Sequence, residues 1–180
     1  STNAGTTQAY IDGTSDADVV SYAYNAQGQE TYRKNQAGTV LESVYDDSGR
    51  RTINKATTLG SGIDNAVRRV ENGYDSLGRP STIVQYDATS SGSATDGIAY
   101  AYDDWGNIAT YEEDRDSAVS GGGNQYATTH TWAKGTDGRY TIRKSGMTLP
   151  DSRAISYTYR SAGGLHDLED SRVTLVVDGA

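Results

Sequence analysis

The sequence predicts an all-β chain: an array of about six β-hairpin repeats forming an elongated β-solenoid, tube or curved-sheet segment. Three observations predict it. Short runs alternate large and small residues with the period of a strand, as in Ile98, Tyr100 and Tyr102 separated by two alanines. A turn tetrad led by an aromatic recurs along the chain. The apolar content is also unusual: hydrophobic residues make up 34%, with no Phe, one Met and 14 Tyr. A thick sandwich core uses Phe, Leu, Ile and Val in bulk, whereas tyrosine rings with wet hydroxyls suit a thin sheet or narrow tube.

The clearest unit is residues 98–110. After the alternating strand comes Asp103-Asp104-Trp105-Gly106, with Asp at the first turn position and Gly at the fourth, and Ile108 and Thr110 begin a β-branched return strand. The arrangement predicts a type I turn closed by a positive-φ glycine. The tetrad also follows Tyr24 (to Gly28), Tyr45 (Asp46 to Gly49) and Tyr74 (Asp75 to Gly78). Two copies are degenerate: Trp132 leads to Gly138 with two extra residues, and Tyr159 leads to Gly163 with Arg160 in place of the capping Asp. The anchors 24, 45, 74, 102, 132 and 159 are spaced by 21, 29, 28, 30 and 27 residues. Repeats of this length are single supersecondary units, each too small to bury its own apolar face.

Taken in order, residues 1–18 read as a lead-in arm or strand and 19–165 as hairpin repeats, and 166–180 form a C-terminal linker and strand, all in one array over 1–180. Strands are expected at 19–24 and 29–33, then at 39–45 and 50–54. Residues 57–62 read as a loop. Residues 65–71 fit either a helical turn or an irregular strand. The third hairpin returns over 81–86 behind Pro80, where a missing N–H is tolerated. Residues 88–97 and 117–124 read as Ser/Gly-rich loops. The fifth hairpin runs over 126–132 and returns over 139–144. A turn at Pro150-Asp151 precedes a strand at 154–159, whose Ile155, Tyr157 and Tyr159 share a face. Residues 165–171 fit a short helix or a loop, and 172–177 form the most aliphatic run. Twelve stacked strands would span roughly 55–60 Å.

The tetrads resemble the YD-repeat, or RHS-repeat, family, whose signature is roughly Tyr-Asp-x-x-Gly-Arg followed by Leu or Ile and Thr. The match is best at Tyr45-Asp46-Asp47-Ser48-Gly49-Arg50 and Tyr74-Asp75-Ser76-Leu77-Gly78-Arg79, and it covers about residues 20–165. The Tyr102 copy lacks the Arg, and most repeats here are longer than the family's usual twenty or so residues. The resemblance implies a β-hairpin spiral that builds tubes or shells, as in bacterial toxin cocoons and animal cell-surface adhesion proteins. The self-cleaving aspartyl protease core that often accompanies such repeats has no counterpart here, since neither Pro80 nor Pro150 follows an Asp.

The net charge of −8, with basic residues scattered apart from Arg68-Arg69, argues against nucleic acid as a partner. No apolar run approaches eighteen residues, so no membrane insertion by a helix is expected. There is no Cys and no Asn-x-Ser/Thr sequon, and Ser1 reads as a processed end or as the start of a segment of something longer. His130 reads as an exposed strand residue and His166 as a loop residue, and no nucleophile-elbow pattern supports a triad. Zinc lacks ligands. The acidic stretches 12–18 and Asp46-Asp47 could offer oxygens to calcium, but without a complete alternating loop. Asp at a turn start is already explained by its bond to the backbone two residues on.

No catalytic residue, cofactor or metal is therefore expected. The first expectation is a non-enzymatic structural module, a rod acting as subunit or segment of an extracellular fibre or surface protein. It would associate head-to-tail or continue the same array, with Val173, Leu175 and Val177 as the assembly strand. The second is a glycan-binding adhesion module using Trp105, an aromatic at a turn tip where a polar residue is the norm. The third is a segment of a toxin-encapsulating shell.

Overall fold

A computed structural model describes residues 6–8, 19–119, 125–134, 142–159 and 173–179. Among these the secondary structure is all strand: β1 Thr6–Gln8, β2 Ser21–Tyr24, β3 Glu30–Lys34, β4 Val40–Tyr45, β5 Arg51–Thr58, β6 Arg69–Tyr74, β7 Pro80–Tyr86, β8 Ala94–Tyr102, β9 Ile108–Asp114, β10 Gln125–Lys134, β11 Ile142–Thr148, β12 Ala154–Tyr159 and β13 Val173–Gly179. They form one open sheet whose strand order is the chain order. Short connections make this the expected solution, because consecutive antiparallel strands need only a tight turn.

Two compact units divide the fold. The first, Ser1–Gly97 with Arg115–Ser120, holds β1 to β7 and the start of β8. The second, Ile98–Asp114 with Gly121–Ala180, holds the rest. In the first, β4 pairs with β5 from Val40↔Thr58 to Tyr45↔Arg51, and β6 with β7 from Arg69↔Tyr86 to Tyr74↔Pro80. In the second, β10 pairs with β9 on one side and β11 on the other.

No apolar side chain among the described residues is buried. The alternation along β12 is still clean: Ile155, Tyr157 and Tyr159 are half-buried, and Ala154, Ser156 and Thr158 are exposed. Neighbour-to-neighbour pairs therefore carry the sheet, at about 0.2–1 kcal/mol per cross-strand pair. The fully buried side chain is instead that of Asp114, at the end of an acidic stretch, and Arg69 is 8% exposed. Arg69 contacts Glu71 at 2.9 Å, lies 4.0 Å over the Tyr86 ring and donates to the Ala88 carbonyl. Arg68 bonds the carbonyls of Ala56 and Thr57. Both members of the basic pair are thus spent on the protein itself.

Some boundaries differ from the sequence reading. β8 starts at Ala94, inside a stretch expected to be loop. β6 starts at Arg69, so 65–71 is neither a helical turn nor wholly strand. β13 pairs with β12 and is the return strand of the sixth hairpin rather than a separate tail. The acidic stretch 12–18, Gly138, Gly163, His166 and the segment 165–171, read as a short helix or a loop, lie outside the described residues.

Candidate functional site

The site is a corner that recurs along the chain. At 25–29, 46–50, 75–79 and 103–107 one pattern repeats. The glycine N–H donates to the carbonyl of the first residue at 2.9–3.0 Å, and the first residue's N–H donates to the carbonyl of the fifth at 2.9 Å. Gly28, Gly49, Gly78 and Gly106 hold φ between 79° and 88°, the left-handed region that glycine enters without a Cβ clash. The first residue's side chain takes up the remaining donors. Asp46 Oδ1 accepts from the N–H groups of Ser48 and Arg50, Asp75 Oδ1 from Leu77 and Arg79, Asp103 Oδ1 from Trp105 and Asn107, and Asn25 Oδ1 from Gln27 and Gln29.

The fifth residue closes the corner from the other side. Arg50 Nε donates to Asp46 Oδ2 at 2.7 Å and Arg79 Nε to Asp75 Oδ2 at 2.6 Å. Asn107 reaches Asp103 Oδ2 at 3.1 Å, and Gln29 Oε1 accepts from Asn25 Nδ2 at 2.7 Å. Bonds from the Arg50 side chain are the leading cause that holds the Asp46 carboxyl below its ordinary value of 3.8. Partial burial raises Asp75 and Asp103, but hydrogen bonds from Arg79 and Leu77, and from Asn107, Trp105 and Gly106, outweigh it and leave both lowered. These acidic groups are committed to their own turns.

Within the first unit, each corner reaches the next. Gln29 Nε2 donates to the Gly49 carbonyl at 2.8 Å. The Arg50 guanidinium lies 4.5 Å over the Tyr74 ring, and a Cβ on Gly78 would stand 3.0 Å from Arg50 Nη1. A stacked cation of this kind contributes about 0.5–1 kcal/mol at a partly exposed site.

The aromatic anchors form a second relay. Tyr45 donates its hydroxyl to the Glu30 carbonyl at 2.9 Å and Tyr74 to Arg51 at 3.1 Å. Tyr159 donates to Lys144 at 2.9 Å, and the Trp132 indole N–H donates to Ile108, also at 2.9 Å. At Trp132 the indole N–H takes the place of the phenol. The receiving residue follows a rule. Glu30, Arg51 and Lys144 each lie opposite the preceding anchor in register, as Tyr24↔Glu30, Tyr45↔Arg51 and Trp132↔Lys144.

Beside Tyr24, Tyr45, Tyr74, Trp132 and Tyr159 the register shifts by one residue, the mark of a β-bulge. The shift leaves Thr31, Thr52, Ser81, Ser145 and Thr174 as the extra residue, a hydroxyl residue every time. Thr31 and Thr52 turn their hydroxyls back to the carbonyls of Ala23 and Val44 at 3.3 Å. Sequence reasoning missed this bulge, although its signal was present: a Ser or Thr directly after the residue that faces the anchor. Two further corners lie at the opposite ends of strands, one of them at the turn expected from Pro150-Asp151. Residues 35–39 repeat the pattern with Asn35 and Gly38, and 149–153 repeat it with Ser152 at φ 67° in the glycine position.

The remaining candidates are placed as follows. Trp105 stands at its corner tip, 53% exposed. Val173, Leu175 and Val177 are about half exposed on β13. His130 is half-buried rather than exposed, and its Nδ1 has no hydrogen-bond partner. Burial first, and the Lys144 charge second, lower its pKa from 6.5. A hollow of about 150 Å³ lined by Ala99, Tyr100, Ala101, Thr110 and Glu112 falls below the ~300 Å³ at which small-molecule pockets begin.

No family model matches the chain, and no curated protein is significantly similar to it. Among solved structures it is similar to chains of "TcdB2-TccC3 without hypervariable C-terminal region" (14% identity, 86% of this chain and 10% of that one, TM-score 0.28). It is likewise similar to chains of "TcdB2-TccC3-Cdc42" (14%, 89% and 9%, 0.30) and "TcdB2-TccC3-TEV" (14%, 86% and 10%, 0.29). The chain thus spans about a tenth of the length of the chains it matches.

Proposed function

We propose that the chain is a non-enzymatic structural module, a YD-type β-hairpin array acting as subunit or segment of an extracellular fibre or surface protein. The observation that carries this reading is the anchor relay, in which the aromatic of one hairpin bonds the return strand of the hairpin before it. An element whose polar groups serve to hold the next copy of itself is suited to propagation. The outer strand supports the same reading. β13 ends the strand order, and its Val173, Leu175, Val176 and Val177 are 46–55% exposed. An apolar edge of this kind invites another strand.

The test is negative-stain microscopy of the full chain beside a variant lacking residues 172–180. Filaments that disappear with the deletion are expected. Filaments unchanged by it would remove β13 as the contact.

Trp105 favours a second reading, glycan binding for adhesion, because a large exposed aromatic at a polar turn offers a face for a sugar ring. A glycan array decides it. Binding lost in Trp105→Ala with unchanged circular dichroism supports adhesion, and no binding by the parent chain sets it aside.

A further inference from the structure

The strand that β13 accepts can be named by its chemistry. In the first unit, Tyr24 faces Glu30, and the Glu30 carbonyl receives the Tyr45 hydroxyl. Tyr45 in turn faces Arg51, whose carbonyl receives Tyr74. In the second unit, Trp132 faces Lys144, and the Lys144 carbonyl receives Tyr159. Tyr159 faces Val173 across the same register shift. The residue after Val173 is Thr174, at the bulge position held by Thr31, Thr52, Ser81 and Ser145 beside Tyr24, Tyr45, Tyr74 and Trp132. Val173 therefore holds the place that Glu30, Arg51 and Lys144 hold, on the last strand of the order.

We infer that the Val173 carbonyl is the seat for an incoming aromatic. The partner of this edge is an extended strand of a further hairpin of the same kind, ending in Tyr or Trp. The aromatic head donates to Val173, while the strand ahead of it pairs with β13. Continuity with the seats already filled inside the molecule sets both register and chemistry. A strand ending in Phe or Leu offers no donor at that place. The inference rests on the structural reading above and adds which strand the edge selects.

The probe is a labelled peptide of residues 39–54, the chain's own second hairpin with Tyr45 and an intact corner, titrated into the full-length protein by fluorescence anisotropy. The parent peptide should bind, and its Tyr45→Phe form should bind about fivefold more weakly, the worth of one hydrogen bond. Leu175→Pro and Val176→Pro place the missing N–H alternately toward β12 and toward the open edge. The variant that keeps the parent circular dichroism spectrum should lose the peptide. Equal affinity for the Tyr and Phe peptides would overturn the seat while leaving strand addition, and the structural reading, standing. No binding of the parent peptide, or binding unchanged in both proline variants, would overturn the edge assignment itself. Microscopy of the full chain then shows independently whether it still assembles.

Discussion

Replacing the corner glycines with alanine gives a graded test of the corner row. Gly28, Gly49 and Gly78 share nearly the same φ, at 81°, 79° and 83°. An alanine there carries the left-handed penalty of roughly 1–2 kcal/mol, offset by ~0.4–1 kcal/mol from the stiffer unfolded chain. Gly28→Ala meets nothing else, since no atom lies within 4 Å of its new Cβ, and should cost about 1 kcal/mol. At Gly49 the Cβ would stand 3.2 Å from Gln29 Nε2, the atom that bonds the Gly49 carbonyl, so a corner-to-corner bond is strained as well. At Gly78 it would stand 3.0 Å from Arg50 Nη1 and displace the guanidinium stacked on Tyr74. Each of these two should cost about 1 kcal/mol more than Gly28→Ala. In a domain of this size, about 1 kcal/mol corresponds to ~2–4 °C in Tm. Urea melts followed by far-ultraviolet circular dichroism provide the readout. A Gly28→Ala loss as large as the other two, or no loss at all three, would refute the corner-to-corner argument.

Three further outcomes are expected. Trp132→Tyr, which keeps a donor, should lose less stability than Trp132→Phe, which orphans the Ile108 carbonyl by about 1 kcal/mol; equal losses would mean that ring size alone matters. His130 has a lowered pKa in the fold, so the unfolded chain takes up its proton first. Stability is then full above pH 6.5 and falls as pH drops below it, a slope that His130→Gln should flatten in melts across pH 7.5 to 5.5. Asp46, Asp75 and Asp103 are lowered from 3.8, so their contribution is complete above that value and is lost as acid passes through the lower folded pKa values. Asp46→Asn with Asp75→Asn should blunt this acid transition.

The hairpins were legible because Tyr, Asp and Gly each act locally: a ring ends a strand, a short carboxylate binds its own turn, and only glycine takes the left-handed position without cost. The seats were not legible, because Tyr45 and Glu30 meet across strands, and a pairing register cannot be read from one strand. Trp132 shows the same limit. Set beside Tyr it reads as a departure, and only the position of the Ile108 carbonyl reveals that indole and phenol do one job. The corner at 35–39 was legible only as the gap between strands expected at 29–33 and 39–45, because no aromatic announces it. Asp114 went unread because acidic runs usually face water, while this one ends in a fully buried carboxylate.

Carbonyl carbon chemical shifts test the anchor relay most directly, since a carbonyl that loses a hydrogen bond moves its own resonance. With the chain labelled, Tyr45→Phe should shift Glu30, Tyr74→Phe should shift Arg51, and Tyr159→Phe should shift Lys144, each leaving the other two in place. Three silent carbonyls in folded variants would contradict the relay.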